Sequence, residues 1–232
     1  MNSNRKSAII VGALFIITTI VGMVDAYFVA PILDTPNYLN KISANENQII
    51  LGAFLILAMS IGIVGIALML FQVLKTHNET IAITYVSFRS IECVLLIVGA
   101  ISYLFLITLS RQYINAGAPD ASYFQNLGAL AIQMRYSAYQ IAMVILGLGS
   151  LMLCYLLYQS KLVPRFISIW GFVGYALLLA SALLDISGII DTVHGAGSMM
   201  YIPGGLFELF LFPIWLITKG FNPSAITSVS AE

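Results

Sequence analysis

The chain has 232 residues, 60% of them apolar and only 9% charged, with a mean hydropathy of +0.96, whereas a soluble domain is about a quarter charged. That composition excludes an ordinary water-soluble protein, and 18 Gly and 7 Pro scattered without period exclude a disordered or fibrous chain. Ten basic residues against ten acidic ones leave no cationic surplus to neutralise phosphates, which argues against nucleic acid as a partner.

The predicted fold is all-α: a polytopic membrane protein, one transmembrane domain over residues 1–232, with six transmembrane helices in a bundle. A helix needs about 20 apolar residues to cross a hydrocarbon core about 30 Å thick, and charge-poor runs of that length follow one another along the chain. The first span, about 8–28, occupies the 18 uncharged residues between Lys6 and Asp25 and continues just beyond. Arg5 and Lys6 precede it as they would a signal peptide. The run SAIIVGALFIITTIVGMV is longer than a signal core of about 7–15 residues, however, and Tyr27 stands three before Ala30, so it is read as a retained span. The second span, about 48–74, lies in the 28 uncharged residues between Glu46 and Lys75. The third, about 81–109, carries Arg89 and Glu92 inside it. The fourth, about 134–158, rests on the 25 uncharged residues between Arg135 and Lys161. The fifth, about 165–189, opens after the breaker Pro164. The sixth, about 200–218, is interrupted by Pro203, Glu208 and Pro213, and the tail FNPSAITSVSAE reads as a frayed end.

Basic residues resist translocation, so the Lys/Arg asymmetry of the loops sets orientation. With the N-terminus inside, Arg5, Lys6, Lys75, Lys161, Arg165 and Lys219 fall on the inner side and only Lys41 and Arg111 outside. The expectation is therefore N-in and C-in, with Trp170 and Trp215 near the inner ends of spans five and six. The outer connections, with Pro31, Pro36 and Asn37 in one and Asn115, Gly117 and Pro119 in the other, are the longer ones.

Ionisable residues inside a bilayer are costly, usually face the bundle interior, and are the default functional hypothesis. Counted at about 1.5 Å per residue, Glu92 and Glu208 each lie roughly 16 Å from the inner boundary. Arg89 is one turn shallower than Glu92. Arg89, Glu92 and Glu208 thus form a candidate mid-membrane polar core, with Arg89 and Glu92 neighbours on one helix face. Asp25, Arg135 and Asp185 lie deeper, at an outer polar rim where Tyr136 and Tyr139 stand beside Arg135. Four carboxylates face two guanidiniums, so two lack a fixed cationic partner, a surplus that can mean protonated acids, a bound cation or residues that merely reach interfacial water. Each layer also has a plainer reading: Asp25 and Asp185 wetted at headgroup level, and a salt bridge that locks helices in the core.

Other features carry less. Cys93 and Cys154 lie in apolar runs without metal or redox spacing, and His77 and His194 fall in loops on opposite sides, so neither a metal site nor a cofactor is expected. Gly147 and Gly149 sit mid-span, with no strand before them, and read as close helix packing. The pairs Ala58/Gly62, Ala138/Ala142 and Ala176/Ala180 offer small-residue faces through which helices, or whole subunits, could associate.

Three stretches carry a family resemblance: FRSIE at Phe88–Glu92, the run from Tyr139 through Tyr158, Ser160, Pro164, Arg165, Gly171, Gly174 and Tyr175 to Ile186, and the ending with Pro203, Glu208, Trp215, Lys219 and Gly220. The chain resembles the bacterial integral membrane family catalogued as domain of unknown function 4386. The resemblance covers nearly the whole chain. It implies a small multi-pass protein of a bacterial cytoplasmic membrane, with no assigned activity and no catalytic residue to carry over. Gly204 and Gly205 stand where a more aliphatic lead-in to Glu208 is expected.

The reading that follows is a protein that binds or transports a small molecule or lipid through its polar core, with Arg89 anchoring an anionic group or holding Glu92 and Glu208 facing a proton or cation. One alternative is an intramembrane enzyme that uses Asp25 and Asp185 as paired carboxylates on a lipid. Another is a non-catalytic partner or sensor subunit in which the charged residues are structural. The expected partners are membrane lipid and a small-molecule or lipid ligand.

Overall fold

Hydrocarbon offers no partner to a backbone N–H or C=O, and a helix satisfies these groups internally, so each long apolar run folds as one helix. The computed structural model describes residues 3–116, 121–192 and 195–227. Helix α1 covers Ser3–Leu33, and a short α2 (Tyr38–Ala44) precedes α3 (Glu46–Leu74), α4 (Glu79–Ala116), α5 (Ala121–Ser160) and α6 (Arg165–Ile186). The last span, Ala196–Thr218, is composite. It opens as a 3-10 helix over Ala196–Tyr201 and continues as α7 (Ile202–Leu206), a π-helical turn over Phe207–Leu211 and α8 (Phe212–Thr218). A one-turn α9 (Pro223–Thr227) follows. Among the described residues there is no strand, and six helices are long and apolar enough to cross a membrane. Gly117, Pro119 and His194 lie outside the described residues.

Consecutive spans pack side by side: α1 on α3, α3 on α4, α4 on α5, α5 on α6, and α6 on the last span. α8 returns to α1, so the six spans form a closed ring. Arg5 seals the closure. A helix C-terminus leaves its last carbonyls unpaired and partly negative, and the Arg5 guanidinium donates from Nη1 to the Leu216 carbonyl at 2.8 Å and from Nη2 to those of Ile217 at 2.5 Å and Thr218 at 3.2 Å. Arg5 is therefore a cap on the last helix as well as an orienting charge. Gly220, with φ +77, then turns the chain away from α8.

Toward the face that carries Arg5 and Thr218, aromatic rings fill the ring's interior. Phe15 meets Phe212 edge-on at 5.4 Å, Phe212 stacks on Phe207 at 5.1 Å, and Phe207 meets Tyr175 at 5.6 Å. All four residues are buried. On the far face, α4 and α5 run past the predicted 81–109 and 134–158: 38 and 40 residues amount to about 57 and 60 Å of helix. Hydropathy marks only the part of a helix that lies in lipid, so the polar continuation is silent in it. α2 braces this extension. Ser110 donates to the Leu39 carbonyl at 2.5 Å and Tyr38 to that of Gln125 at 2.5 Å, while Arg111 pairs with Glu46 at the start of α3. The fifth span, α6, stops at Ile186, short of the predicted 189, and Gly188 just beyond takes φ +72.

Small residues set how closely the spans approach. Gly147 lies against Leu179 of α6 and Gly149 against Phe88 of α4, so both glycines serve packing. Gly62 faces Thr18, within the ring. At Gly174 an added Cβ would stand 2.8 Å from Gly204 N and 2.9 Å from Pro203 C, both backbone atoms that cannot swing aside. Gly204 thus has a packing reason. Gly205 faces open space. Gly174→Ala is expected to destabilise the protein by about 1–3 kcal/mol through overpacking, and Gly205→Ala to be neutral or slightly stabilising. Equilibrium unfolding in detergent, compared with wild type, checks both.

Candidate functional site

Helix α4 supplies the spine of the site. Its residues 85, 89, 92, 96, 99, 103, 106 and 110 recur every three or four positions and are all buried, which places Tyr85, Arg89, Glu92 and Tyr103 on one inward stripe. Arg89 Nη1 lies 3.0 Å from Glu92 Oε2, one turn apart, and the two residues are 3% and 2% exposed. Arg89 Nε has no hydrogen-bond partner, and Glu92 Oε2 lies within ion-pair distance of Nη1 but off any hydrogen-bond axis.

Glu208 sits on the π-helical turn. Pro203 lies in the first turn of α7 and Pro213 in the first turn of α8. Each proline lacks the N–H that a preceding carbonyl would use, and the chain between them widens by a residue per turn at the acid. Widened turns of this kind recur at functional sites. Glu208 Oε1 accepts a hydrogen bond from Tyr175 Oη at 2.7 Å, so the rim of the aromatic floor holds the acid.

One level further toward the far face, Asp25 Oδ2 accepts from Tyr103 Oη at 3.1 Å and lies 3.5 Å from Arg135 Nη2. The Arg135 guanidinium rests over the rings of Tyr103 at 4.9 Å and Tyr136 at 5.6 Å, contacts that favour a cation. Asp25 is 6% exposed, buried rather than wetted at the headgroup level, and its Oδ1 has no hydrogen-bond partner.

Both levels open on one cavity of about 660 Å³ at the centre of the ring, to which every span contributes. Thr19, Asp25, Arg89, Glu92, Arg135, Tyr139 and Glu208 all line it. Thr19 Oγ1 joins Asp25 Oδ1 and Arg89 Nε among the buried polar atoms there without a partner. The lumen also has a side opening. α1 packs along α8 and touches the π-helical turn but forms no comparable interface with α7 or the 3-10 segment. Met23 on one side of that gap and Ile202, Leu206 and Phe210 on the other line the cavity and are also well exposed.

Asp185 lies elsewhere. Its Oδ2 accepts from Gln140 Nε2 at 2.6 Å, from the Thr192 N–H at 2.7 Å and from the Thr192 hydroxyl. It lines a separate cavity of about 350 Å³ with Gln133, Tyr136, Ser137, Gln140, Ile141, Ile186 and Asp191. Among the described residues, Asp25 and Asp185 share no hydrogen-bond partner, and neither lines the other's cavity. Asp185 instead ties the end of α6 to the chain leading into the last span. Cys154 is buried against Gly171, and His77 lies in the turn after α3, where burial pushes its imidazole below the ordinary histidine value. Among the described residues no group of three or more His, Cys, Asp or Glu side chains is gathered as a metal site. Trp170 Nε1 donates to the Pro203 carbonyl at 3.0 Å, a tie between spans five and six.

The geometry coincides with the stretches FRSIE and "P … E … W" of the sequence. The chain belongs to the DUF4386 family. The model of that family, described as a domain of unknown function, matches residues 10–220 and so includes every residue of the lumen named above. Comparison with curated proteins found no match, and comparison with solved structures found none either. The six apolar helices make this DUF4386 chain a multi-pass helical membrane protein, and membership of the family assigns no reaction to the lumen.

Sequence reasoning missed Thr19, Tyr103, Tyr175, Gln140 and Thr192. Tyr103 was accessible to it, since it falls on the same stripe as Arg89 and Glu92. The others depend on which helices meet. In the Arg89–Glu92 pair, removing one partner leaves a buried unpaired charge, whereas removing both does not. Glu92→Leu alone is expected to cost about 3–5 kcal/mol, and the double variant Arg89→Met/Glu92→Leu to recover most of that loss. A double-mutant cycle on unfolding in bicelles measures the difference.

Proposed function

We propose that this DUF4386 protein binds an amphiphilic small molecule or lipid in its central lumen, and that the ligand enters from the membrane between α1 and the last span. The observation that carries this reading is the lumen itself. A cavity of about 660 Å³ falls within the range of about 300–1,000 Å³ typical of small-molecule sites. Three residues of its wall carry buried polar atoms without partners: Thr19 Oγ1, Asp25 Oδ1 and Arg89 Nε. A buried polar atom left unpaired costs about 1–3 kcal/mol, and three around one space favour an occupant that supplies the missing bonds. The side gap is edged by Met23, Ile202, Leu206 and Phe210, which suits an apolar tail reaching the bilayer while a polar head meets α4. Transport would add release on the far face, and a binding or sensing role needs only the lumen.

The enzyme reading with Asp25 and Asp185 as a pair gains no support, because acid/base work requires both groups within reach of one substrate. The protein is proposed to lie in a bacterial plasma membrane, as the family resemblance implies, with both termini cytoplasmic, on the strength of Arg5 and the five basic residues that share its side.

Gly205 faces open space and lines the lumen, so Gly205→Phe fills the cavity without displacing backbone. The variant is expected to fold and melt like wild type, yet to lose the thermal stabilisation that wild type gains from added extracted membrane lipids. Equal stabilisation of the two proteins would overturn the lumen as the binding site. For topology, alkaline phosphatase fused after Thr218 is expected to be inactive and fused after Lys41 to be active. The opposite pattern would reverse the orientation.

A further inference from the structure

We infer that the lumen is built to hold a lipophilic monocation, an inference that rests on the reading of the lumen as a binding site. Among the described residues, the lumen wall carries three carboxylates, Asp25, Glu92 and Glu208, and two guanidiniums, Arg89 and Arg135. Two of the acids are matched: Glu92 by Arg89 at 3.0 Å and Asp25 by Arg135 at 3.5 Å. Glu208 has no cationic side chain within ion-pair distance among the described residues, and its hydrogen bond comes from the neutral Tyr175 hydroxyl. With all three acids ionised, the wall is one positive charge short of neutral.

A carboxylate at this depth keeps its negative charge only when a positive one approaches it and otherwise takes a proton, since neither hydrocarbon nor the aromatic floor screens it. An incoming anion would meet the surplus negative charge, with the lone Arg89 Nε–H to receive it. A monocation meets no such obstacle. A free acceptor points the same way: Asp25, more than nine-tenths buried and part of the lumen wall, has an Oδ1 that accepts no hydrogen bond. The remaining wall suits a large, diffuse cation. Met59 and Met143 offer polarisable, adaptable thioethers, and Tyr139 and Phe210 offer ring faces that attract positive charge. The side gap admits a body with apolar arms, which a compact hydrated metal ion would not need.

Three probes that share phenyl arms but differ in charge test this: tetraphenylphosphonium, tetraphenylborate and neutral triphenylphosphine oxide. Equilibrium dialysis of the full chain in nanodiscs, corrected with protein-free discs, reads their binding. The phosphonium is expected to bind at one site per chain, at least about tenfold more tightly than the neutral probe, a gap of about 1.4 kcal/mol. The borate is expected to bind more weakly than either. Glu208→Gln brings the wall to neutrality and is expected to weaken the phosphonium at least about tenfold, leaving the neutral probe unchanged. Should that variant fail to fold, the charge order in wild type decides by itself. A neutral or anionic preference, or a Glu208→Gln variant that keeps its phosphonium affinity, would overturn the cationic assignment while leaving the lumen a binding site. Binding of none of the three would also overturn it, and the lipid experiment on Gly205→Phe judges the binding reading separately.

Discussion

Carrying an ionised side chain to the middle of a bilayer costs about 2.5–3.5 kcal/mol even on permissive insertion scales. Helix α4 carries two such side chains, Arg89 and Glu92, one turn apart. Their mutual contact offsets part of that cost, but only with lipid kept away, so the stripe that bears them has to face inward. The other spans then have to surround it. The closed ring, the aromatic floor and the second ion pair above the first are all consistent with that one requirement. Glu208 approaches the same interior from the opposite wall. It sits on a span whose prolines and π-helical turn break the regular ladder at that point.

The break makes the last span unlike the other five. A regular helix of that length would lie flush against both neighbours. This one packs closely on α1 through α8, where Arg5 caps its end, and parts from α1 along α7 and the 3-10 segment. The lumen consequently has a sealed end among Phe15, Phe207, Phe212 and Tyr175 and an open side toward lipid. Gly174 and Gly204, in backbone contact at the other seam, keep α6 and α7 together while the α1 seam stays apart. A single composite helix thereby supplies the free acid and one edge of the route to it.

Much of the fold was legible in the sequence, because spanning a bilayer imposes a length and a hydropathy that a run of residues either has or lacks. Six spans and their order followed from that alone. The depth count also placed Arg89, Glu92 and Glu208 at one level, and all three line one cavity. Depth says nothing about azimuth, however. Asp25 and Asp185 lie at comparable depth on different helices, yet Asp25 turns into the lumen toward Tyr103 and Arg135, whereas Asp185 turns toward Thr192 and Gln140. The ends of α4 and α5 were illegible for another reason: beyond the lipid their helical state rests on contacts with each other and with α2, such as that of Ser110 with Leu39, which no local pattern announces. Arg5 could be read as an orienting charge from its position, but its role as a cap required knowing that the first and last spans are neighbours.

The central claim is that the ring encloses an occupied polar lumen rather than a dry seam. A cryo-electron microscopy structure of the protein in lipid nanodiscs, resolved well enough to place side chains in the spans, tests it most directly. The expected result is non-protein density in the lumen, touching Asp25, Glu92 and Glu208, with α1 and α7 held apart at the side gap. The contradicting result is a collapsed interior, with α1 packed against α7, no density between the spans, and Thr19 Oγ1, Asp25 Oδ1 and Arg89 Nε hydrogen-bonded within the protein.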